Sequence, residues 1–278
     1  MKNFTKYSFF YIILVIASFL TNACSETTRQ YRETRINYDS LAASIPKSDT
    51  LTILEKQQND TNSILKYYIS VIYPELIHYD NEKAQKKVNL GISGKLTEII
   101  EMFVMDQEFM FADTTGMNLP EDFDEFESRY SFLAIDYELI NNSRDLMSLI
   151  LNIEKYIAFA AHPISYHKSL NFDMSSGEEI DLYNFISVND SLFLDKLSEV
   201  SFNKITAMNL SDSVWIRNGL LPLWDNFKNY NITRDSLYLT FDVYQVAPYA
   251  VGPVRVSYSW QELIDSTRNH DEDVIIVE

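Results

Sequence analysis

The sequence predicts an α+β fold, with an antiparallel sheet packed against two or three helices. Apolar residues alternate with polar ones over several short segments, as in strands that have one covered face. Two other segments place apolar residues at helical spacing. Only six glycines and seven prolines occur in 278 residues, so long flexible linkers are not expected. A single domain is therefore predicted over residues 63–267.

The strands are predicted where the alternation is clearest. Pro74 is expected to end the first strand, and Gly177 supplies the positive φ that a tight turn needs after the fourth. The predicted strands cover residues 65–73, 133–139, 147–153, 166–174, 237–243 and 254–260. The fourth is expected to form a hairpin with residues 178–182.

The helices are predicted from apolar periodicity and from capping residues. One covers residues 95–111, and a second begins after an N-cap at Asp190. Ser259 and Glu262 have the spacing of a capping box for a short third helix that runs through Thr267. These helices are expected to cover the sheet.

The N-terminal residues have the pattern of an export signal. Lys2 and Lys6 precede an uncharged apolar run over residues 9–20, which is shorter than the roughly 20 residues that span a bilayer. Small and polar residues then lead to Cys24, the single cysteine of the chain. We predict a signal peptide over residues 1–23 and lipid attachment at Cys24, which would anchor the protein in a membrane. The alternative is an ordinary signal peptide that is cut nearby.

The segments that flank the domain are polar. Residues 24–62 show no sustained period and are interpreted as a flexible tether between lipid and domain. Residues 268–278 are interpreted as an acidic tail. The exported protein is expected to face the periplasm or the cell exterior.

The charge balance excludes some classes of function. The net charge of -17 argues against a nucleic-acid partner, which clustered lysines and arginines would hold. Removing residues 1–23 leaves 21 basic and 40 acidic residues, a net charge of -19. This acidity favours encounter with a basic partner, although many exported domains are simply acidic. A single cysteine excludes a disulfide framework and a cysteine-rich zinc site.

Catalytic motifs are largely missing from the sequence. No nucleophile elbow, phosphate loop or zinc-protease motif is complete, so no catalytic residue and no cofactor is predicted. His162 and His167 could hold a metal together with Asp173. A turn in which the His162 ring bonds to the backbone is the favoured interpretation, so no metal site is predicted.

An acidic and aromatic segment is a candidate interaction element. Phe123 and Phe126 lie among five carboxylates in LPEDFDEFE. They are either exposed anchors for a basic partner or, as we favour, side chains that point into the core.

Short motifs along the domain resemble the outer domain of RsiV-type anti-sigma factors, which is also the N-terminal part of PdaC-type deacetylases. The most specific block is the segment that contains Tyr244 and residues 246–250. The residues that carry the resemblance are Tyr73-Pro74, His162-Pro163, Leu170-Asn171-Phe172-Asp173, Ser176-Gly177, Leu182, Phe241, Tyr244, Val246-Ala247-Pro248-Tyr249-Ala250, Gly252 and Glu262-Leu263.

The resemblance implies an α+β fold without chemistry of its own and, for the RsiV members, recognition of lysozyme. We expect only the outer domain, without the sigma-factor segment or the deacetylase catalytic domain. Asp173 and Tyr249 join Phe123 and Phe126 as candidate binding residues, although Asp173 is more easily explained as a turn residue.

Together these observations predict a lipid-anchored envelope binding protein without catalysis. Its expected ligand is a lysozyme-like muramidase or cell-wall glycan. One alternative is an envelope hydrolase that acts on peptidoglycan through paired carboxylates or the His162 and His167 pair. A second alternative is a structural or assembly lipoprotein.

Overall fold

The computed structural model describes residues 50–114, 130–183 and 190–263. Side-chain surroundings are described for all of these except residues 111–114 and 190–192. The expected signal peptide, Cys24, most of the tether, Phe123, Phe126 and the acidic tail lie outside the described residues. None of the described helices is long and apolar enough to cross a membrane.

A five-stranded sheet forms the first layer. Its strands are β1 (Thr52–Asn62), β2 (Tyr67–Ile77), β3 (Ser131–Asn142), β4 (Leu146–Tyr156) and β5 (Ile164–Asp173), in the order β1-β2-β3-β4-β5. Neighbouring strands are antiparallel except β2 and β3, which are parallel over five residue pairs. A parallel pair needs a long crossover, and the chain between these two strands contains a helix.

Helix α1 (Glu82–Thr114) covers one face of this sheet. Asn81 begins it, because its side-chain oxygen accepts a hydrogen bond from the backbone N–H of Ala84 at 3.1 Å. The buried face of the helix contributes Val88, Ile92, Leu96, Ile99 and Phe103. These side chains pack on strand residues such as Val71, Leu133 and Leu149 and form the first core.

A three-stranded antiparallel sheet lies towards the other face. It consists of β6 (Tyr230–Ile232), β7 (Ser236–Phe241) and β8 (Val254–Ser259), and β6 packs against β3, β4 and β5. Helices α2 (Asp190–Thr206) and α3 (Ser213–Gly219) build a second core with this sheet. The layers therefore run from α1 through the two sheets to α2 and α3.

Buried polar side chains join the two sheets. The Oγ of Ser148 on β4 donates to Oδ1 of Asn171 on β5 at 2.7 Å. The Nδ2 of Asn231 on β6 donates to Ser148 Oγ at 2.9 Å and to the carbonyl oxygen of Leu149 at 2.8 Å. The backbone N–H of Ile232 donates to Asn171 Oδ1 at 3.0 Å. The seam between the sheets is therefore a connected hydrogen-bond network, in which a lost partner leaves buried polar groups unpaired.

The structure confirms the α+β class and many of the predicted elements. Gly177 has a φ of +73° in the turn after β5, as the predicted hairpin needs. Residues 260–263 are helical, and Ser259 Oγ accepts from the backbone N–H of Glu262 at 3.0 Å, as the capping box requires. Helix α2 begins at Asp190.

Three boundaries differ from the prediction. The tether was expected to reach residue 62, but residues 52–62 form β1 and pair along their full length with β2. β2 continues through Pro74 to Ile77, because Pro74 lies beyond the portion that pairs with β3 and its missing N–H costs no bond there. Helix α1 starts at Glu82 rather than near residue 95, since its first turns are polar and only Asn81 marks the start.

Candidate functional site

Tyr249, a candidate from the sequence, lies at the centre of an aromatic cluster. It opens a 3₁₀ turn (Tyr249–Val251), and its hydroxyl donates to the carbonyl oxygen of Pro163 at 3.0 Å. Its ring centroid lies 4.4 Å from that of His162 and 5.5 Å from that of Tyr244. We call these three side chains, His162, Tyr244 and Tyr249, the aromatic patch.

Tyr244 is held in a strained backbone conformation. Its φ is +67°, a region in which a bulky side chain costs about 1–2 kcal/mol, and its side chain is 52% exposed. The carbonyl oxygen of Tyr244 accepts from the indole N–H of Trp215 at 3.0 Å. Strain of this kind, at an exposed aromatic residue that its neighbours fix in place, is typical of binding sites.

Helix α3 and the Tyr244 turn form a cleft beside the patch. The cleft has a volume of about 560 Å³ and is lined by Asp212, Val214, Trp215, Asn218, Gly219, Tyr244 and Gln245. The side-chain amide of Gln245 donates to the carbonyl oxygens of Gly219 at 3.1 Å and Asn226 at 2.8 Å, which fixes the turn. A ligand that stacks on the patch therefore meets a surface that is largely preformed.

The two histidines considered for a metal site are engaged separately. The Nδ1 of His162 lies 2.8 Å from the carbonyl oxygen of Pro163, so its ring bonds to the backbone as the favoured interpretation expects. The Nδ1 of His167 lies 2.7 Å from Oδ1 of Asp242. The described residues contain no group of three or more metal-ligating side chains of the His, Cys, Asp or Glu type.

Asp173 stabilises the turn that follows β5. Its carboxylate accepts hydrogen bonds from the backbone N–H of Ser175 at 3.0 Å, from Ser175 Oγ at 2.9 Å and from Ser176 Oγ at 2.7 Å. Burial acts to raise the pKa of Asp173, but these hydrogen bonds outweigh it and hold the pKa below its usual value. The contacts of Asp173 are those of a turn residue.

His167 and Asp242 form a pair that the sequence did not predict. The ring of His167 is buried, and Asp242 also accepts from its backbone N–H at 2.9 Å and from the side-chain amide of Asn229 at 3.1 Å. An imidazole oriented by a carboxylate is an arrangement that acid–base catalysis uses, and it also occurs as a purely structural contact. Because 75 residues separate the two partners, no local pattern could reveal them.

A row of aromatic side chains that the sequence did not predict lies on the part of the first sheet that faces away from α1. The rings of Tyr68 and Phe132 stack at 5.4 Å between centroids, and those of Phe132 and Tyr156 at 5.8 Å. Asp136 is exposed in the same face and accepts from Asn152 Nδ2 at 2.6 Å. One feature of the sequence could have revealed this row: aromatic residues occur at positions where the alternation of the strands predicts polar ones.

Comparison with known proteins finds a family match in the C-terminal part of the chain. Residues 185–261 match the family model of DUF3298, a protein of unknown function. A stretch of 130 residues, 46% of the chain, is 26% identical to peptidoglycan-N-acetylmuramic acid deacetylase PdaC of Bacillus subtilis strain 168. The match covers 27% of PdaC, so the chain corresponds to only about a quarter of that relative.

Two solved structures share the fold. One is a DUF3298 family member from Bacteroides fragilis NCTC 9343, with a TM-score of 0.54 and 16% identity over 78% of this chain and 94% of that one. The other is a DUF3298 family protein from Pseudomonas aeruginosa PAO1, with a TM-score of 0.52 and 12% identity over the same shares of the two chains. Tyr244, Tyr249 and Trp215 of the candidate site all lie within the segment that matches the DUF3298 model.

Proposed function

We propose that this protein is a noncatalytic binding protein of the cell envelope, with the aromatic patch as its ligand-binding surface. The observation that carries the proposal is Tyr244, an exposed tyrosine kept at a positive φ beside Tyr249 and His162. A backbone that accepts strain in order to present an aromatic ring is better explained by binding than by stability. The ring adds little to the core, because about half of its surface is open.

The ligand that we propose is a lysozyme-like muramidase. The net charge of -17 favours a basic partner and speeds its encounter, and aromatic rings are the usual anchors of protein interfaces. The resemblance to RsiV-type outer domains points to the same ligand. Cell-wall glycan is the second candidate, because exposed rings also stack on sugars and because the relative PdaC is named for action on peptidoglycan.

Titration distinguishes the two ligands. Lysozyme and soluble peptidoglycan fragments are each titrated into the full chain at low ionic strength, and heat release is recorded. Saturable binding of lysozyme that weakens with added salt supports the muramidase form, because exposed charges are screened. Binding of the fragments alone moves the proposal to glycan. If neither ligand binds at micromolar concentration, the proposed function is wrong.

Membrane attachment through lipid on Cys24 completes the proposal. Labelled palmitate supplied to cells that express the protein should appear in the full chain and be lost from Cys24→Ala. Label that persists in the variant would show that the anchor is elsewhere. Fractionation in parallel should move Cys24→Ala out of the membrane pellet while the wild-type protein stays there.

A peptidoglycan hydrolase is the alternative function, and the contact between His167 and Asp242 is the observation that favours it. The test is release of acetate or of reducing sugar from peptidoglycan by the full chain. Activity that His167→Ala abolishes, while the melting temperature stays within a few degrees, would replace the binding function with a catalytic one. Inactive wild-type protein removes this alternative.

A further inference from the structure

Helix α1 packs one apolar face on the sheet, and its opposite face carries apolar, small and acidic side chains together. The buried face contains Val88, Ile92, Leu96, Ile99 and Phe103. A second series starts two residues later and follows the same spacing: Leu90, Gly94, Glu98, Glu101, Met105 and Phe109, with Met102 beside them. Two residues correspond to about 200° around a helix, so the second series points away from the core.

This outer face is exposed and has a shallow depression along the helix, which we call the groove. Leu90, Met102, Met105 and Phe109 are 58–75% exposed. The groove has a volume of about 530 Å³ and is lined by Leu90, Ser93, Gly94, Thr97, Glu98, Glu101, Met102 and Met105. From Leu90 to Met105 the groove extends about 22 Å along the helix, a length of about four helical turns, and Phe109 lies about one turn beyond it. Met102, Met105 and Phe109 lie within two turns of one another, and exposed apolar side chains grouped in this way mark interaction sites. Methionine side chains also adapt readily to a partner.

The presence of a glycine at position 94 distinguishes this surface from that of an ordinary exposed helix. Its neighbour in the same helix, Gly91, has an internal reason, because a Cβ there would lie 2.8 Å from Cε1 of Phe172. At Gly94 no described atom lies within 4 Å of the corresponding Cβ position. Glycine inside a helix is less favourable than alanine, and nothing in the described fold offsets that cost at Gly94. A partner backbone that approaches the floor of the groove would explain it.

The acidic side chains of the groove favour a partner that carries positive charge. Glu98 and Glu101 lie between the small residues and the methionines, and Lys95 hydrogen-bonds to Glu98 at 2.6 Å. Glu101 takes part in none of the ion pairs between described residues. A second copy of this chain would place its own glutamates against these two, which disfavours self-association, and an anionic membrane would be repelled.

We propose that the outer face of α1 binds a basic amphipathic helix of a partner protein. The apolar side of that helix packs on Leu90, Met102, Met105 and Phe109, and its backbone comes closest at Gly94. Its lysines or arginines pair with Glu98 and Glu101. This surface is on α1, whereas the aromatic patch is formed by His162, Tyr244 and Tyr249, so the chain would hold two partners at separate sites.

The test uses a fluorescent synthetic amphipathic helix of about 18 residues that contains only leucine and lysine, about five turns long. Its binding to the full chain is followed by anisotropy. We expect micromolar affinity that Gly94→Leu weakens at least about tenfold, or about 1.4 kcal/mol. Glu98→Gln combined with Glu101→Gln should weaken binding and reduce its salt dependence. Leu221→Ala, at an exposed leucine outside the groove, is the matched control and should leave affinity unchanged.

The stability of two variants checks the reasoning about the glycines. Gly94→Ala should raise the melting temperature while it weakens peptide binding, and Gly91→Ala should lower the melting temperature because of Phe172. Equal peptide affinity in wild type and Gly94→Leu overturns the proposal, as does equal binding of a leucine and glutamate peptide. Two further results would assign the face to another occupant and also overturn it: a dimer in sedimentation that Gly94→Leu disperses, or capture by anionic vesicles with the same dependence on Gly94.

Discussion

The side chain of Asp242 binds both the ring and the backbone of His167. Its Oδ1 lies 2.7 Å from Nδ1 of the ring and 2.9 Å from the backbone nitrogen. His167 belongs to β5 of the first sheet, and Asp242 directly follows β7 of the second. One carboxylate thus connects the two sheets at the edge of β5, and Asn229 donates to its other oxygen at 3.1 Å.

Replacement of Asp242 by alanine should destabilise the domain strongly. Three hydrogen bonds are lost together, and the N–H groups of a buried histidine are left without their acceptor. We expect a loss of about 2–4 kcal/mol in the free energy of unfolding, measured by urea denaturation. Asp225→Ala, at an exposed carboxylate in the same part of the chain, is the control. A loss no larger than that of the control would contradict a structural role for the contact.

Asn231 should be equally sensitive, because it belongs to the polar seam. Asn231→Ala removes the donor to Ser148 and Leu149 and leaves buried acceptors unpaired, so we expect a loss of about 2–3 kcal/mol. Ser148→Ala alone should cost about 1–3 kcal/mol. The double variant should cost less than the sum, with a coupling of at least about 0.5 kcal/mol in a double-mutant cycle. Strict additivity would mean that the seam is not a connected network.

Alanine substitutions at two glycines with positive φ should show how much destabilisation comes from backbone strain and how much from steric clash. Gly177 has a φ of +73°, and a Cβ there would lie 2.6 Å from backbone atoms of Ala84. Gly252 has a φ of +79°, but no described atom lies within 4 Å of its Cβ position. Its ψ of -168° places it in a region that essentially only glycine occupies, so Gly252→Ala should cost about 1–3 kcal/mol for strain alone. Gly177→Ala should cost clearly more, and equal losses in urea denaturation would argue against the close packing of this turn on α1.

Asp173 gives the stability a dependence on acid pH. Because its pKa in the folded state is lowered, it stabilises the fold fully above the pKa of the unfolded chain, near 3.8. That contribution is lost as the pH falls through the lower pKa of the folded state. Asp173→Asn should therefore be less stable than the wild type near neutral pH, and its stability should fall less steeply below about pH 3.8. Parallel curves for wild type and variant would contradict this role.

The sequence predicted elements that have one clear face and missed those that do not. The residues of β1 are mostly exposed and show no alternation, so their sequence predicts a tether where the structure has an edge strand. β4 was predicted with one buried face, but Ser148 and Ile150 are buried on the other face as well, because the second sheet packs there. Burial on that face depends on residues far along the chain, which no short window contains.

The candidate site was predicted only in part for the same reason. Tyr249 was identified through the resemblance, and Tyr244 belonged to the same motif, but the positive φ of Tyr244 has no signature in residue type. His162 was recognised as a turn residue because the proline that follows it restricts the local backbone. The contact of its ring with that of Tyr249 joins residues 87 positions apart, and only the fold brings them together.

The affinity of Tyr244→Gly for lysozyme tests the central claim most directly. Glycine relieves the strained φ, so the stability of this variant should be unchanged or higher by up to about 1 kcal/mol. Its dissociation constant should nevertheless rise at least about tenfold, because the exposed ring is lost. Tyr68→Ala, on the open face of the first sheet, should bind as the wild type does. Undiminished binding by Tyr244→Gly, or a loss confined to Tyr68→Ala, would show that the aromatic patch is not the binding surface.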